Sequence, residues 1–112
     1  MLNRQHRFHG YGSLRRVYSH SQSVRGVLIG LRFAPRNPGK TYRVAVVVAK
    51  KVNKSAVKRN RIRRRIFEII RNIKDVPTST DLILTVYSDE VRDMPQLELE
   101  ALIVNLIQKT HS

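Results

Sequence analysis

Isoleucines recur through the middle of the chain at the spacing of one helical face. The stripe consists of Ile62, Ile66, Ile69, Ile70 and Ile73. Spacings of three and four positions are typical of an amphipathic helix whose apolar side faces a core. Ser55 suits the N-cap, and Pro77 lies where a helix must already have ended. The pattern predicts a helix from residue 55 to about residue 74.

Three segments rich in β-branched residues are predicted as strands. The first covers residues 24–34, where Gly26 and Gly30 suit β-bulges, and a turn rich in Pro and Gly follows it. The second, residues 42–49, is almost continuous Val and Ala, which predicts a central strand covered on both faces. Its simplest pairing is a hairpin with the first strand. The third covers residues 81–87.

Two further helices are predicted near the ends of the chain. Ser13 is an acceptable N-cap for a short amphipathic helix over about residues 13–21. Residues 1–12 show no periodicity and are predicted to form a basic arm. A last helix begins near residues 93–95, with one apolar side formed by Leu99, Leu102, Ile103 and Leu106.

The predicted order of elements is α-β-β-(β)-α-β-α, in one domain over residues 1–112. This order indicates an α+β fold in which a small mixed or antiparallel sheet packs with three helices. Residues 42–49, the long helix and residues 81–87 could form a βαβ crossover, and the general rule makes such crossovers right-handed.

Charge is distributed very unevenly along this framework. The net charge is +14, yet residues 1–65 carry 18 Lys or Arg and no acid, whereas residues 66–112 carry 4 against all 8 acids. Such a one-sided distribution is the electrostatic signature of a protein with a polyanionic partner. The chain has no cysteine, which excludes disulfides and thiolate chemistry and fits a reducing compartment. No apolar run approaches the length of a membrane span, and we expect a cytoplasmic protein.

The predicted long helix carries the densest part of this charge. The candidate nucleic-acid-contacting side chains are Lys58, Arg59, Asn60, Arg61, Arg63, Arg64 and Arg65. Arginine grips phosphate with a planar fork, and asparagine can bond a 2′-hydroxyl, a phosphate or a base edge. A solvated face is the ordinary interpretation of a charge run, but solvated helices usually alternate Glu with Lys. The absence of acids here favours a nucleic-acid partner.

Aromatic side chains near the basic half could stack on unpaired bases. Tyr18 is the strongest candidate because it lies beside Arg15 and Arg16 on the short helix. Phe33 and Tyr42 suit core or hairpin packing equally well, and Phe67 is assigned to the core.

Residues for catalysis by the protein itself are scarce. The basic half has no carboxylates for a metal nuclease, and no metal site is predicted. His6, His9 and His20 could form an acid and base pair, and His6 with His9 could ligate a metal. Their irregular, glycine-rich surroundings do not preorganise a site, so weak phosphate contacts are the favoured interpretation.

Two segments carry a resemblance to a known family. Residues 43–51 (Arg-Val-Ala-Val-Val-Val-Ala-Lys-Lys) and 59–64 (Arg-Asn-Arg-Ile-Arg-Arg) resemble the signature of the bacterial ribonuclease P protein family. Residues 14–20, 23–24 and 81–84 resemble that family's first helix, following strand entry and later strand. The resemblance extends from about residue 7 to residue 108.

The resemblance implies a subunit that does not itself cut. In this family a large RNA subunit performs magnesium-dependent hydrolysis that removes the 5′ leader of precursor tRNA. The Arg-Asn-Arg helix binds the RNA subunit, and a cleft between the first helix and the sheet holds the leader. The resemblance also implies an unusual left-handed βαβ crossover, which replaces the right-handed expectation. No obligate protein partner or membrane contact is expected.

Carried over by position, the leader cleft would comprise Leu14, Val17, Tyr18, Arg32, Phe33, Lys50 and Lys51. Five residues depart from the family pattern. The family usually has aromatic residues at the positions of Leu14 and Arg32 and a basic residue at the position of Phe67. It usually has glycines near the positions of Ser21 and Asn53. Leader stacking is therefore expected to depend on Tyr18, with Arg65 replacing the charge lost at residue 67.

Two other functions are considered as alternatives. A ribosomal or other rRNA-binding protein would need the same basic surface, and a free-standing nuclease would cleave RNA without an RNA subunit. Activity with a ribonuclease P RNA separates these alternatives.

Overall fold

The computed structural model describes residues 17–18, 21–36, 41–73 and 76–111. Four strands and two complete helices are β1 (Gln22–Val24), β2 (Ile29–Pro35), β3 (Arg43–Val48), α1 (Ala56–Arg71), β4 (Thr80–Val86) and α2 (Gln96–Gln108). Short 3-10 helices at Asp89–Arg92 and Lys109–His111 precede and follow α2. The α+β class with a small mixed sheet is confirmed.

The strands form one sheet in the order β1-β2-β4-β3. β4 pairs antiparallel with β2 and parallel with β3. The predicted hairpin between residues 24–34 and 42–49 is therefore wrong, and β3 is an edge strand rather than a central one. A parallel pair needs a long crossover instead of a tight turn, and α1 supplies that crossover between β3 and β4.

The burial pattern shows that β4 is a central strand. Four successive residues of β4, Asp81 to Leu84, are buried, whereas burial alternates along β3. The predicted strand over residues 24–34 is divided into β1 and β2. Gly26 lies between them, where an added Cβ would collide with the backbone of Ile29, so this glycine serves a close turn rather than a bulge.

The two faces of the sheet are covered differently. Helices α1 and α2 pack on one face, called the helix face, over a core that includes Val44, Val46, Leu82 and Leu84. The opposite face carries a smaller cluster of Val17, Ala34 and Ile83. We call this opposite face the Tyr18 face, after the residue that follows the buried Val17 in the chain.

Three residues of the predicted first helix are described: Val17 and Tyr18 are helical, and Ser21 is not helical. The rest of that helix, and the arm over residues 1–12, lie outside the described residues. Three helices were predicted from the sequence; the described residues contain two complete helices and this helical pair.

A buried ion pair fastens the edge strand β3 to β4. Asp81 is 1% exposed, and its two carboxylate oxygens accept hydrogen bonds of 2.8 Å from Nε and Nη2 of Arg43. Arg36 approaches the same carboxylate at 3.5 Å. Bidentate geometry and a second cation offset the cost of burying this charge.

Candidate nucleic-acid interface

The first turn of α1 is fixed by two polar side chains. Ser55 is the N-cap, and its Oγ accepts a hydrogen bond of 3.3 Å from the backbone N–H of Lys58. Asn53 accepts from the backbone N–H of Ser55 at 2.9 Å and donates to Asp89 at 3.0 Å. Asn53 therefore connects the start of the basic helix to the 3-10 turn that follows β4. The sequence pattern predicted the Ser55 cap but assigned no role to Asn53.

Burial separates the core side of α1 from its solvent side. The isoleucine stripe and Phe67 face the core, as predicted; of these residues only Ile73 is incompletely buried. Lys58, Asn60, Arg61 and Arg64 are exposed. Within the described residues, the side chains of Lys58, Arg61 and Arg64 make no hydrogen bond or ion pair, so these three cations are available to an external anion.

Arg59 and Arg63 lie half-buried at the margins of this surface. Arg59 Nη1 donates to the backbone carbonyls of Asn53 and Lys54 at 2.9 and 3.0 Å, and Arg63 Nη1 donates to Asn60 Oδ1 at 2.6 Å. Partial burial, and then repulsion from Arg59, lower the pKa of Arg63. An anion placed beside the two guanidinium groups would relieve that repulsion.

Arg65 departs from its assignment to the RNA surface. Its Nη1 donates to the backbone carbonyls of Val91 and Arg92 at 2.8 and 2.9 Å, and its Nη2 donates to the carbonyl of Met94 at 2.6 Å. Nη2 also lies 3.3 Å from Oε1 of Gln96. The guanidinium binds α1 to the segment between β4 and α2, where a short 3-10 turn leaves carbonyls without helical partners.

On the Tyr18 face, an aromatic ring and an arginine lie side by side. The Arg32 guanidinium carbon lies 5.5 Å from the centre of the Tyr18 ring, within the range of a cation–π contact. Arg32 Nη1 also donates to Ser21 Oγ at 3.3 Å. The Tyr18 side chain is 46% exposed, while its neighbour Val17 is fully buried. Val17 therefore anchors the helical pair, and Tyr18 presents a ring to solvent.

The other predicted cleft residues are placed differently. Phe33 packs against the core of the helix face, because side chains alternate along β2 and Arg32 takes the opposite side. A cleft on the Tyr18 face thus excludes Phe33. Lys50 and Lys51 are exposed in the turn after β3, and Leu14 lies outside the described residues. Tyr42, the other ambiguous aromatic residue, packs against the helix-face core.

Tyr87 is a surface residue that the sequence analysis missed. It follows β4 and is 56% exposed. Alternation along β4 from Ile83 places it on the Tyr18 face. That period of two was visible in the sequence and could have identified it.

Metal-ligating side chains are dispersed in the described ranges. No group of three or more His, Asp or Glu side chains gathers there in a way that could hold a metal ion. Neither α1 nor α2, nor any shorter helix among those residues, is long and apolar enough to cross a membrane.

The comparison with protein families agrees with this arrangement. The family model for Ribonuclease P matches residues 2–111. The chain belongs to the ribonuclease P protein family. A curated ribonuclease P protein component from Synechococcus is 38% identical over 74 residues, which cover 63% of this chain and 56% of that protein. The chain thus spans little more than half the length of this curated relative.

Solved structures of family members share the fold. A mutant Staphylococcus aureus RNase P protein, described as defective in mRNA degradation activity, superimposes with a TM-score of 0.82 at 22% identity, covering 95% of this chain and 88% of that one. The Thermotoga maritima RNase P protein gives 0.82 at 20% identity, covering 92% and 96%. At these identities the likeness concerns the fold alone.

Proposed function

We propose that this chain is the protein subunit of a ribonuclease P ribonucleoprotein. It binds the RNA subunit and the 5′ leader of precursor tRNA, and it thereby assists the endonucleolytic step that creates the mature tRNA 5′ end in the cytoplasm. In this proposal the RNA subunit carries out the hydrolysis with its own magnesium ions.

The observation that carries the proposal is the solvent side of α1. Lys58, Arg61 and Arg64 project from a helix whose opposite side is locked into the core, and no acid lies among residues 56–67. A rigid row of unneutralised cations is suited to phosphate groups held by another macromolecule. Asn60 adds a polar group able to bond a 2′-hydroxyl.

The Tyr18 face supports the second part of the proposal. An exposed ring can stack on an unpaired base, and Arg32 beside it can contact a phosphate or extend the stack. This face lies across the sheet from α1, so a leader held there and an RNA subunit bound at the helix would not compete for the same side chains.

Reconstitution tests this function directly. The chain is added to its cognate ribonuclease P RNA at a magnesium concentration too low for the RNA alone, and release of the 5′ leader from precursor tRNA is measured. We expect leader removal only when both subunits are present. No stimulation with the cognate RNA would contradict the proposal.

The same assay distinguishes the two alternatives. Cleavage by the protein alone, after pretreatment with a pancreatic-type ribonuclease and its inhibitor, would indicate a free-standing nuclease. Co-purification of ribosomal RNA without any stimulation would indicate an rRNA-binding protein. We expect neither result.

A further inference from the structure

Tyr87 is a large aromatic side chain that is exposed to solvent on the Tyr18 face. Its ring shares the Tyr18 face with Tyr18 and Arg32, and 56% of its surface is accessible. The smaller apolar cluster lies on the same face, but Tyr87 is not part of it.

Gly30 determines where that ring lies. A Cβ added at Gly30 would come within 3.0 Å of Cε2 and Cζ of Tyr87 and would collide with the hydroxyl. The ring end therefore rests directly on the backbone of β2, in space that only a glycine leaves open. Tyr87 is held as a flat surface instead of moving freely in solvent.

Both exposed rings lie beside residues of the same strand, β2. Gly30, beneath Tyr87, and Arg32, beside Tyr18, are two residues apart on β2, a separation of about 6.6–6.8 Å. Exposed aromatic residues on a sheet hold two or three unpaired bases in this manner in other RNA-binding folds.

Two lysines leave the sheet at the end where Tyr87 lies. Val48 of β3 is paired with Val86 of β4, so Tyr87 and the exposed Lys50 and Lys51 leave the sheet at the same end. A nucleotide whose base lies on Tyr87 would have these two ammonium groups close to its phosphates.

We propose that Tyr87, seated on Gly30, is a second base-stacking platform of the leader-binding face. It extends this face from Tyr18 and Arg32 toward the Lys50–Lys51 turn, so that at least two unpaired leader bases are held. This inference rests on the proposed function. It adds a residue that determines how many leader nucleotides the protein binds.

The test uses the reconstituted ribonucleoprotein and precursor tRNAs whose leaders are lengthened one nucleotide at a time. Tyr87→Ala should weaken binding about 5- to 150-fold, the range for loss of one base stack, but only once the leader is long enough to reach residue 87. Tyr87→Phe, which keeps the ring, should bind like the parent. Mature tRNA should bind equally well to all variants.

Gly30→Ala provides an independent variant. Its methyl group would displace the flexible end of Tyr87 without removing the ring, so we expect the same leader-length dependence as for Tyr87→Ala. Leu97→Ala is the matched control, because Leu97 is 80% exposed and lies on α2, away from the Tyr18 face. Thermal unfolding of each variant establishes that the fold is retained.

The outcomes separate this inference from the proposed function. If the parent ribonucleoprotein prefers leader-bearing precursor but Tyr87→Ala loses nothing at any leader length, the second platform is wrong and the function stands. An equal loss on mature tRNA would also overturn the platform. If the parent itself shows no preference for leader-bearing substrate, the proposed leader-binding function fails.

Discussion

The solvent side of α1 and the Tyr18 face differ in what they offer to RNA. The helix presents cations without an exposed ring: Lys58, Arg61 and Arg64 are exposed, and their side chains have no partner among the described residues. The Tyr18 face presents the exposed rings of Tyr18 and Tyr87, with the Arg32 guanidinium beside Tyr18, and it has an apolar floor. Phosphate contacts bind any RNA backbone and weaken with salt, whereas stacking needs unpaired bases and responds little to salt. The two regions therefore divide overall affinity from recognition of an unpaired leader.

The largest expected effect comes from two adjacent arginines of α1 with opposite roles. Arg65→Ala should lower the free energy of unfolding by about 2–3 kcal/mol, because it leaves the carbonyls around Val91 and Met94 without their charged donor. Arg64→Ala, at an exposed position, should change it by less than about 0.5 kcal/mol. Urea denaturation measures both values.

RNA binding should reverse this order. At a temperature where both variants are folded, Arg64→Ala should reduce the salt dependence of RNA-subunit binding, while Arg65→Ala should leave it unchanged. A lower salt slope for Arg65→Ala would return Arg65 to the RNA surface.

The next effect concerns the helix as a phosphate-binding surface. Replacing Arg61 and Arg64 together by Ala should lower the slope of log K against log salt for the RNA subunit by about 1.4–1.8, since each lost phosphate contact removes about 0.7–0.9. Affinity at low salt should fall as well, because charge-assisted hydrogen bonds from two arginines are lost. Filter binding across a salt series measures both quantities.

The matched control removes two exposed cations elsewhere. Arg25 and Lys109 lie on the surface away from α1, so changing both to Ala alters the net charge by the same amount. If this control lowers the slope equally, the effect belongs to total charge and not to the helix.

The sequence predicted what depends on local pattern. The isoleucine stripe identified the core side of α1, and the capping preference of serine identified its start at Ser55. It could not distinguish Arg64 from Arg65, because that difference depends on carbonyls of Val91 and Met94, more than 25 residues further along the chain.

Strand pairing could not be predicted from the sequence for a similar reason. The Val- and Ala-rich composition of β3 is typical of a buried strand, but composition does not state which strand is its neighbour. β4 enters between β2 and β3 only after α1 has crossed the sheet. Phe33 was misplaced because its side of β2 follows from register, and a shift of one residue exchanges the two faces.

A smaller effect is expected at the ring on the Tyr18 face. Tyr18→Ala should weaken binding of leader-bearing precursor by about 1–3 kcal/mol, the contribution of a base stack, and should leave mature tRNA binding unchanged. Tyr18→Phe is the control that keeps the ring. Unlike the α1 variants, Tyr18→Ala should not alter the salt slope, and an equal loss for both substrates would indicate damage to packing around Val17.

The smallest effect should come from Arg32. Its contact with the Tyr18 ring is worth about 0.5–1 kcal/mol at an exposed site, so Arg32→Gln should weaken leader binding only about two- to fivefold. Arg32→Lys retains the charge but loses the planar group that lies against the ring. If charge alone matters, Arg32→Lys will bind leader-bearing precursor like the parent. A loss equal to that of Arg32→Gln would show that the planar contact between guanidinium and ring is what orients Tyr18 for stacking.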